Sequence, residues 1–243
     1  MVMPLWDDNP LTLPKLPVAT WGLIIANVVV FIVEAAGSPS MQSTLISYAL
    51  VPLSLTGSSG VTPGVSPYVT LVTYQFLHAD FFHIFGNMLF LWIFGDDIEE
   101  AMGPLRFIVF YLSCGIVAGL AFAISAPDAA SPLIGASGAI AGVLAAYLML
   151  KPCHKVLVFL PWFILWFFVR PVVRLDAFWV LGAWILMQLW SISVQAHVNV
   201  GYMAHVGGLV AGAVLFPLLR YRAVKLFECI RDNTRPAPAN QVS

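Results

Sequence analysis

The sequence predicts an all-α polytopic membrane protein, a bundle of six transmembrane helices with one long loop between the first two. Three observations carry that expectation. Hydrophobic residues make up 60% of the 243 positions and charged residues only 9%, whereas a soluble domain carries about 25% charged residues. Apolar runs recur along the whole chain between polar or glycine- and proline-rich stretches. The 11 Lys and Arg residues are confined to alternate connecting segments and, for Arg106, the adjoining end of a span. A water-soluble globular domain is thereby excluded. A net charge of −1, with no basic stretch of the kind nucleic acid requires, gives no reason to expect a nucleic-acid partner.

Residues 1–17 hold Lys15, two Asp and several prolines, so they are expected as a short irregular tail and not a cleavable signal. The first span is Val18 to Gly37. Residues 38–80 form a long connector rich in Gly, Pro, Ser and Thr without Lys or Arg, and its Leu, Val and Tyr content favours a folded loop lying on the membrane. The second span is Phe81 to Gly95. It leads into Asp96, Asp97, Glu99 and Glu100, expected mainly as a solvated face.

The third span is Leu105 to Ser125. The fourth, Gly135 to Leu150, is short, which suits a helix enclosed by its neighbours. Val156 to Val169 is very apolar but contains Pro161 and has basic residues on both flanks (Lys151, Lys155, Arg170, Arg174). It is therefore expected to dip into the membrane or lie along its interface. Leu175 to Val194 and Tyr202 to Leu219 complete the six, and residues 220–243 form a basic tail. With both termini cytoplasmic, every Lys and Arg lies inside and the outer loops hold none, as charge asymmetry demands.

Cys114, Cys153 and Cys229 are odd in number and scattered, which argues against a disulfide framework. No ligand cluster suggests a metal or cofactor. His78, His154 and His197 fall in loops or at loop edges and are expected to be solvated or interfacial.

In this topology the second, fourth and sixth spans all run inward from the outer face. Their first turns hold His83 and Asn87, Ser137, and His205. Four polar side chains thus share one depth, where each is costly unless it pairs or lines a wet cavity. Gly138 and Gly142 in the fourth span, and Gly208 and Gly212 in the sixth, form GxxxG patterns that let two helix backbones approach closely. That approach brings the Ser137 hydroxyl towards the His205 imidazole, a nucleophile and the base that activates it. His83 and Asn87, four residues apart on one face, could bind an oxyanion together with backbone N–H groups at the start of the fourth span. No Asp or Glu is placed to orient His205, so a dyad is expected. Taken alone, the glycine patterns read first as helix packing, and a single buried histidine as a structural hydrogen bond. Their coincidence at one depth favours catalysis.

The stretches His83-Ile-Phe-Gly-Asn87, Gly135-Ala-Ser-Gly138 and Ala204-His-Val-Gly-Gly208, with the turn from Gly95 through Glu99 to Gly103, resemble the rhomboid family of intramembrane serine proteases. The resemblance covers about Tyr68 to Phe216. It implies a rhomboid-like six-helix bundle whose first loop is partly embedded in the outer leaflet, Ser137 as nucleophile and His205 as general base. It also implies an oxyanion hole of His83, Asn87 and the Ser137 N–H. Gly135 would permit the tight entry to the fourth span, and Glu99 would hold the cytoplasmic end of the second. It further implies single-span membrane-protein substrates with helix-destabilising segments, no metal or cofactor, and residence in a bacterial inner membrane.

Two features depart from that pattern. Some relatives carry a tyrosine four residues after the nucleophile that stacks on the catalytic histidine; here Ala141 stands there, so support for the His205 ring must come from elsewhere. The loop from Lys151 to Arg174 is longer and more apolar than a minimal one. The competing readings are a catalytically inactive, client-binding relative, which would lack the Ser or His, and a small transporter, disfavoured by the absence of intramembrane carboxylates and inverted repeats.

Overall fold

The computed structural model describes residues 3–7, 16–38, 40–41, 46–55, 65–159, 172–194, 201–227 and 229. Its helices are α1 (Val18–Ala36), α2 (Pro52–Leu55), α3 (Pro67–Thr73), α4 (Phe81–Met102), α5 (Pro104–Ser125), α6 (Ser137–Leu150), α7 (Ala177–Val194) and α8 (Gly201–Leu219). A small sheet comprises β1 (Met3–Asp7), β2 (Lys155–Phe159) and β3 (Val172–Asp176). Residues 160–171, with Pro161 and Arg170, lie outside the described residues, as do Lys15, His197 and the tail beyond Cys229.

Among the described residues four helices, α1, α4, α5 and α8, are long and apolar enough to cross a membrane. Helix α6 has only 14 residues, nearly all buried. A helix apolar all round belongs in the middle of a bundle, and α6 is enclosed by α4, α5 and α8. Around it, large apolar side chains point outward: Ile25, Val29 and Ile32 on α1, Val109 and Ile124 on α5, Trp179 and Trp190 on α7, Val210 and Val214 on α8. An outward apolar girdle is what a lipid solvent requires.

Helices α5, α6 and α8 meet through glycine. A Cβ on Gly208 would collide with the Gly138 carbonyl, and one on Gly212 with the Gly142 carbonyl. Gly142 in turn lies against the buried Cys114, and Gly138 against Ala118. Without an aqueous hydrophobic drive between spans, such close packing is the main source of their adhesion.

The described parts of the loop after α1 fold onto the bundle. Leu50 and Leu133 exchange backbone hydrogen bonds (3.1 and 2.8 Å), Thr73 Oγ1 donates to the Tyr48 carbonyl (2.7 Å), and the buried Tyr74 hydroxyl donates to the Gly115 carbonyl (2.7 Å). At the other end of the bundle, Glu99 accepts from the backbone N–H groups of Ala19 (3.0 Å) and Thr20 (2.7 Å) and from the Thr20 hydroxyl (2.8 Å). Pro17 supplies no side-chain cap to α1, so a carboxylate from α4 serves the N-terminal donors and their dipole.

Three expectations are corrected, and a fourth segment takes a form that the sequence did not suggest. Residues 3–7 are not irregular: β1 pairs antiparallel with β2, in register Met3 with Phe159, across a bulge between Pro4 and Trp6. Residues 156–159, expected as part of a segment at the membrane, form the central strand of the sheet, paired on its other side with β3, Lys155 opposite Asp176. The alternating burial of Val156 and Val158 explains their β-branched composition. Cys153 and Cys229 form a disulfide, Cα atoms 5.2 Å apart, because the segments following α6 and α8 converge where the Phe227 N–H donates to the Met149 carbonyl. The acidic cluster is only partly solvated: Asp97 is 2% exposed and pairs with Lys151 (2.8 Å), and Glu99 is 4% exposed.

Candidate active site

Ser137 opens α6 and His205 stands in the first turn and a half of α8. The glycine contacts bring the two helices together along their length, and His205 Nε2 lies 2.8 Å from Ser137 Oγ. On the far side of the ring, Nδ1 lies 3.0 Å from Oε1 of Gln188 on α7. An amide oxygen only accepts, so Nδ1 carries the ring proton and Nε2 is left bare, facing the serine hydroxyl. Gln188 is buried. The ring is also flanked by Trp184 (centroids 5.7 Å apart) and, edge to face, by Tyr202 (6.5 Å). Together with Gln188, these groups provide the support that Ala141 cannot.

Asp80 caps α4 by accepting from the His83 N–H (2.9 Å), which fixes where the helix starts and therefore where His83 and Asn87 point. The Ala79 N–H is directed at His83 Nδ1, a long contact of 3.5 Å, leaving Nε2 as the protonated nitrogen. That nitrogen faces Gly135, two residues before Ser137. Gly135 has φ +115°, and a Cβ there would stand 2.7 Å from His83 Nε2 and 3.6 Å from Asn87 Nδ2. Only glycine permits both this backbone turn and this proximity. The Gly135 N–H donates to the Tyr74 carbonyl (2.9 Å), which ties the turn to the folded loop. Asn87 Nδ2 is buried with no hydrogen-bond partner among the described residues. A buried amide donor without an acceptor is costly, unless something that binds there supplies one. The Ser137 N–H lies in the first turn of α6, where amides have no helical acceptor.

His78, expected to be solvated or interfacial, is buried (4% exposed), its ring edge-on to His83 at 5.1 Å. Its N–H donates to Glu34 of α1 (3.2 Å). Burial, reinforced by the neighbouring His83, pushes its pKa down from 6.5 to about 4, so it is neutral at physiological pH.

Of the residues singled out in the sequence, Ser137, His205, His83, Asn87 and Gly135 gather at one end of the bundle. Gly138, Gly208 and Gly212 lie on the contact that joins two of their helices, and Glu99 lies at the opposite end, tying α1 to α4. Gln188, Trp184 and Tyr202 were not anticipated. Among the described residues no group of His, Cys, Asp and Glu could hold a metal ion.

A family model for the rhomboid domain matches residues 65–222. The chain is similar to the mitochondrial presenilin-associated rhomboid-like protein of Homo sapiens, 34% identical over 145 residues covering 58% of this chain and 35% of that protein. It is similar to the mitochondrial rhomboid protein 1 of Saccharomyces cerevisiae, 31% identical over 161 residues, 62% of this chain and 41% of that protein. A third relative is the putative rhomboid protease YdcA of Bacillus subtilis, 30% identical over 146 residues, 60% of this chain and 64% of that protein. The matches thus span about two-fifths or less of the two mitochondrial relatives.

Proposed function

Because the chain belongs to the rhomboid family, we propose that it is an intramembrane serine endopeptidase that cleaves single-span membrane proteins near the outer face of the bilayer. The observation that carries this reading is the 2.8 Å approach of Ser137 Oγ to His205 Nε2. Ser137 Oγ attacks the scissile carbonyl while its proton passes to Nε2. The resulting oxyanion is held by His83 Nε2–H, Asn87 Nδ2 and the Ser137 N–H. A preorganised donor of this kind is typically worth about 3 kcal/mol of barrier. His205 then gives its proton to the departing amine, the C–N bond breaks, and an acyl-enzyme remains. Water that loses a proton to the same nitrogen hydrolyses the ester and restores Ser137. Gln188 keeps the imidazole in the required tautomer throughout and takes no proton itself.

The substrate helix must unwind locally, because its peptide bonds are otherwise closed off by their own hydrogen bonds. Segments weakened by Gly or Pro are therefore preferred. In this reading the chain crosses the membrane six times, α6 and α7 included. Both termini and the basic residues lie on the cytoplasmic face of a bacterial inner membrane, and the dyad lies just below the opposite face. The charge asymmetry of the loops supports that orientation.

The test is cleavage of a reporter with one transmembrane helix by the full chain in proteoliposomes. Ser137→Ala should reduce cleavage to the enzyme-free background. Cleavage by Ser137→Ala at the parental rate, or reporter binding without cleavage by the parent, would contradict the proposal.

A further inference from the structure

At the end of the bundle away from Ser137, the start of α5 and the segment leaving α8 enclose a cavity of about 550 Å³, lined by Arg106, Leu218, Leu219, Arg220, Tyr221 and Arg222. We propose that this cavity binds the phosphate-bearing head group of an anionic membrane lipid.

Three arginines line one space, and none has a carboxylate partner in the described ion pairs, which are Lys151 with Asp97 and Lys155 with Asp176. Some of their donors serve the backbone. Arg106 Nη1 donates to the Leu219 carbonyl (3.3 Å), and Arg220 Nη1 to the carbonyls of Tyr221 (3.2 Å) and Val224. The Arg106 contact offsets the last carbonyl of α8, whose end would otherwise repel an anion, while the two Arg220 contacts lie in the segment beyond that helix. Together these contacts leave most of the five N–H groups of each guanidinium uncommitted. Arg220 Nε is buried without a hydrogen-bond partner, and Arg222 is exposed.

Arg106 is held over the Tyr221 ring, 5.1 Å from its centroid, and it sits in the first turn of α5, whose dipole also favours negative charge. A phosphate diester offers the paired oxygens that such planar forks match. A lipid fits better than a free anion because the cavity opens beside an apolar ridge. Leu105 and Leu218 are 75% and 73% exposed, and Val109 and Val214 continue the exposed surface one turn up each helix. Acyl chains lying on that ridge place their head group at the arginines.

Native mass spectrometry of the full chain, released from detergent micelles doped with phosphatidylglycerol, tests this. One lipid per chain should be retained, and the Arg106→Gln, Arg222→Gln double variant should retain about tenfold less. Phosphatidylcholine, whose phosphate is offset by choline, should not replace it. A charge-matched control, Lys155→Gln with Arg174→Gln, removes two positive charges from the sheet and should retain lipid like the parent. Equal loss in that control would reduce the effect to general attraction and overturn the proposal. Displacement of the lipid by millimolar inorganic phosphate, with equal thermal protection by phosphate alone, would overturn the lipid assignment in favour of a free anion. If the glutamine variant does not fold, Arg106→Lys with Arg222→Lys keeps the charge and loses the forks. Retention should still fall, and undiminished retention would overturn the proposal.

Discussion

Gln188 and His78 are the two side chains whose roles rest most on their surroundings. A glutamine in an apolar helix has no local pattern to mark it, and its partner His205 lies on a different helix. The sequence therefore pointed to the proximity of Ser137 and His205, through the glycines beside them, but not to the group behind the ring. Replacing Gln188 by Leu removes one hydrogen bond and frees the ring to turn or change tautomer. A loss of about 1–3 kcal/mol, roughly 5- to 150-fold in kcat, is expected with little change in KM. Gln188→Glu, which keeps an acceptor in place, should retain more activity than Gln188→Leu; initial-rate kinetics on the reporter decides. His78 makes a prediction about pH. Its folded pKa of about 4 lies below its ordinary 6.5, so the unfolded chain binds the proton more readily. The corresponding stability is complete above pH 6.5 and is lost as pH falls towards 4. Melting curves across that window should show a decline that His78→Asn reduces.

Among the elements, the helices follow from hydropathy, while the sheet and the disulfide do not. β1 and β2 are separated by most of the chain, and Pro4 and the apolar run after Lys155 look like a tail and a membrane segment until they are paired. Cys153 and Cys229, 76 residues apart, carry no spacing signal because convergence of α6 with the segment after α8 sets their distance. Glycine was legible for the opposite reason: two GxxxG patterns specify a face without reference to anything distant. The contact of Gly208 with the Gly138 carbonyl has no slack, so Gly208→Val should push α8 from α6 and separate His205 from Ser137. Loss of activity is expected together with destabilisation of about 3 kcal/mol or more, since overpacking against backbone cannot relax cheaply. Gly182, which has nothing within 4 Å of its Cβ position, should tolerate alanine in the same denaturation assay.

Seen as a whole, the molecule has two chemically different ends. One holds Ser137, His205, His83 and Asn87 beside a loop without Lys or Arg. The other holds the Glu99 clasp, the Asp97–Lys151 pair, the sheet, the disulfide and the arginine-lined cavity. That division was legible in the sequence, because the placement of Lys and Arg relative to the apolar runs records it directly. It predicts opposite labelling by a membrane-impermeant maleimide in intact cells. Ser131→Cys, in the exposed turn before α6, should be labelled at once, and Arg222→Cys only after permeabilisation.

The nucleophilic role proposed for Ser137 can be tested without knowing any substrate. Intact-mass and peptide analysis of the detergent-solubilised full chain after exposure to a fluorophosphonate should find one adduct, on Ser137, and none in a folded His205→Ala variant. A folded parental chain that stays unlabelled, or an adduct that persists in Ser137→Ala, would contradict the dyad on which the proposed activity depends.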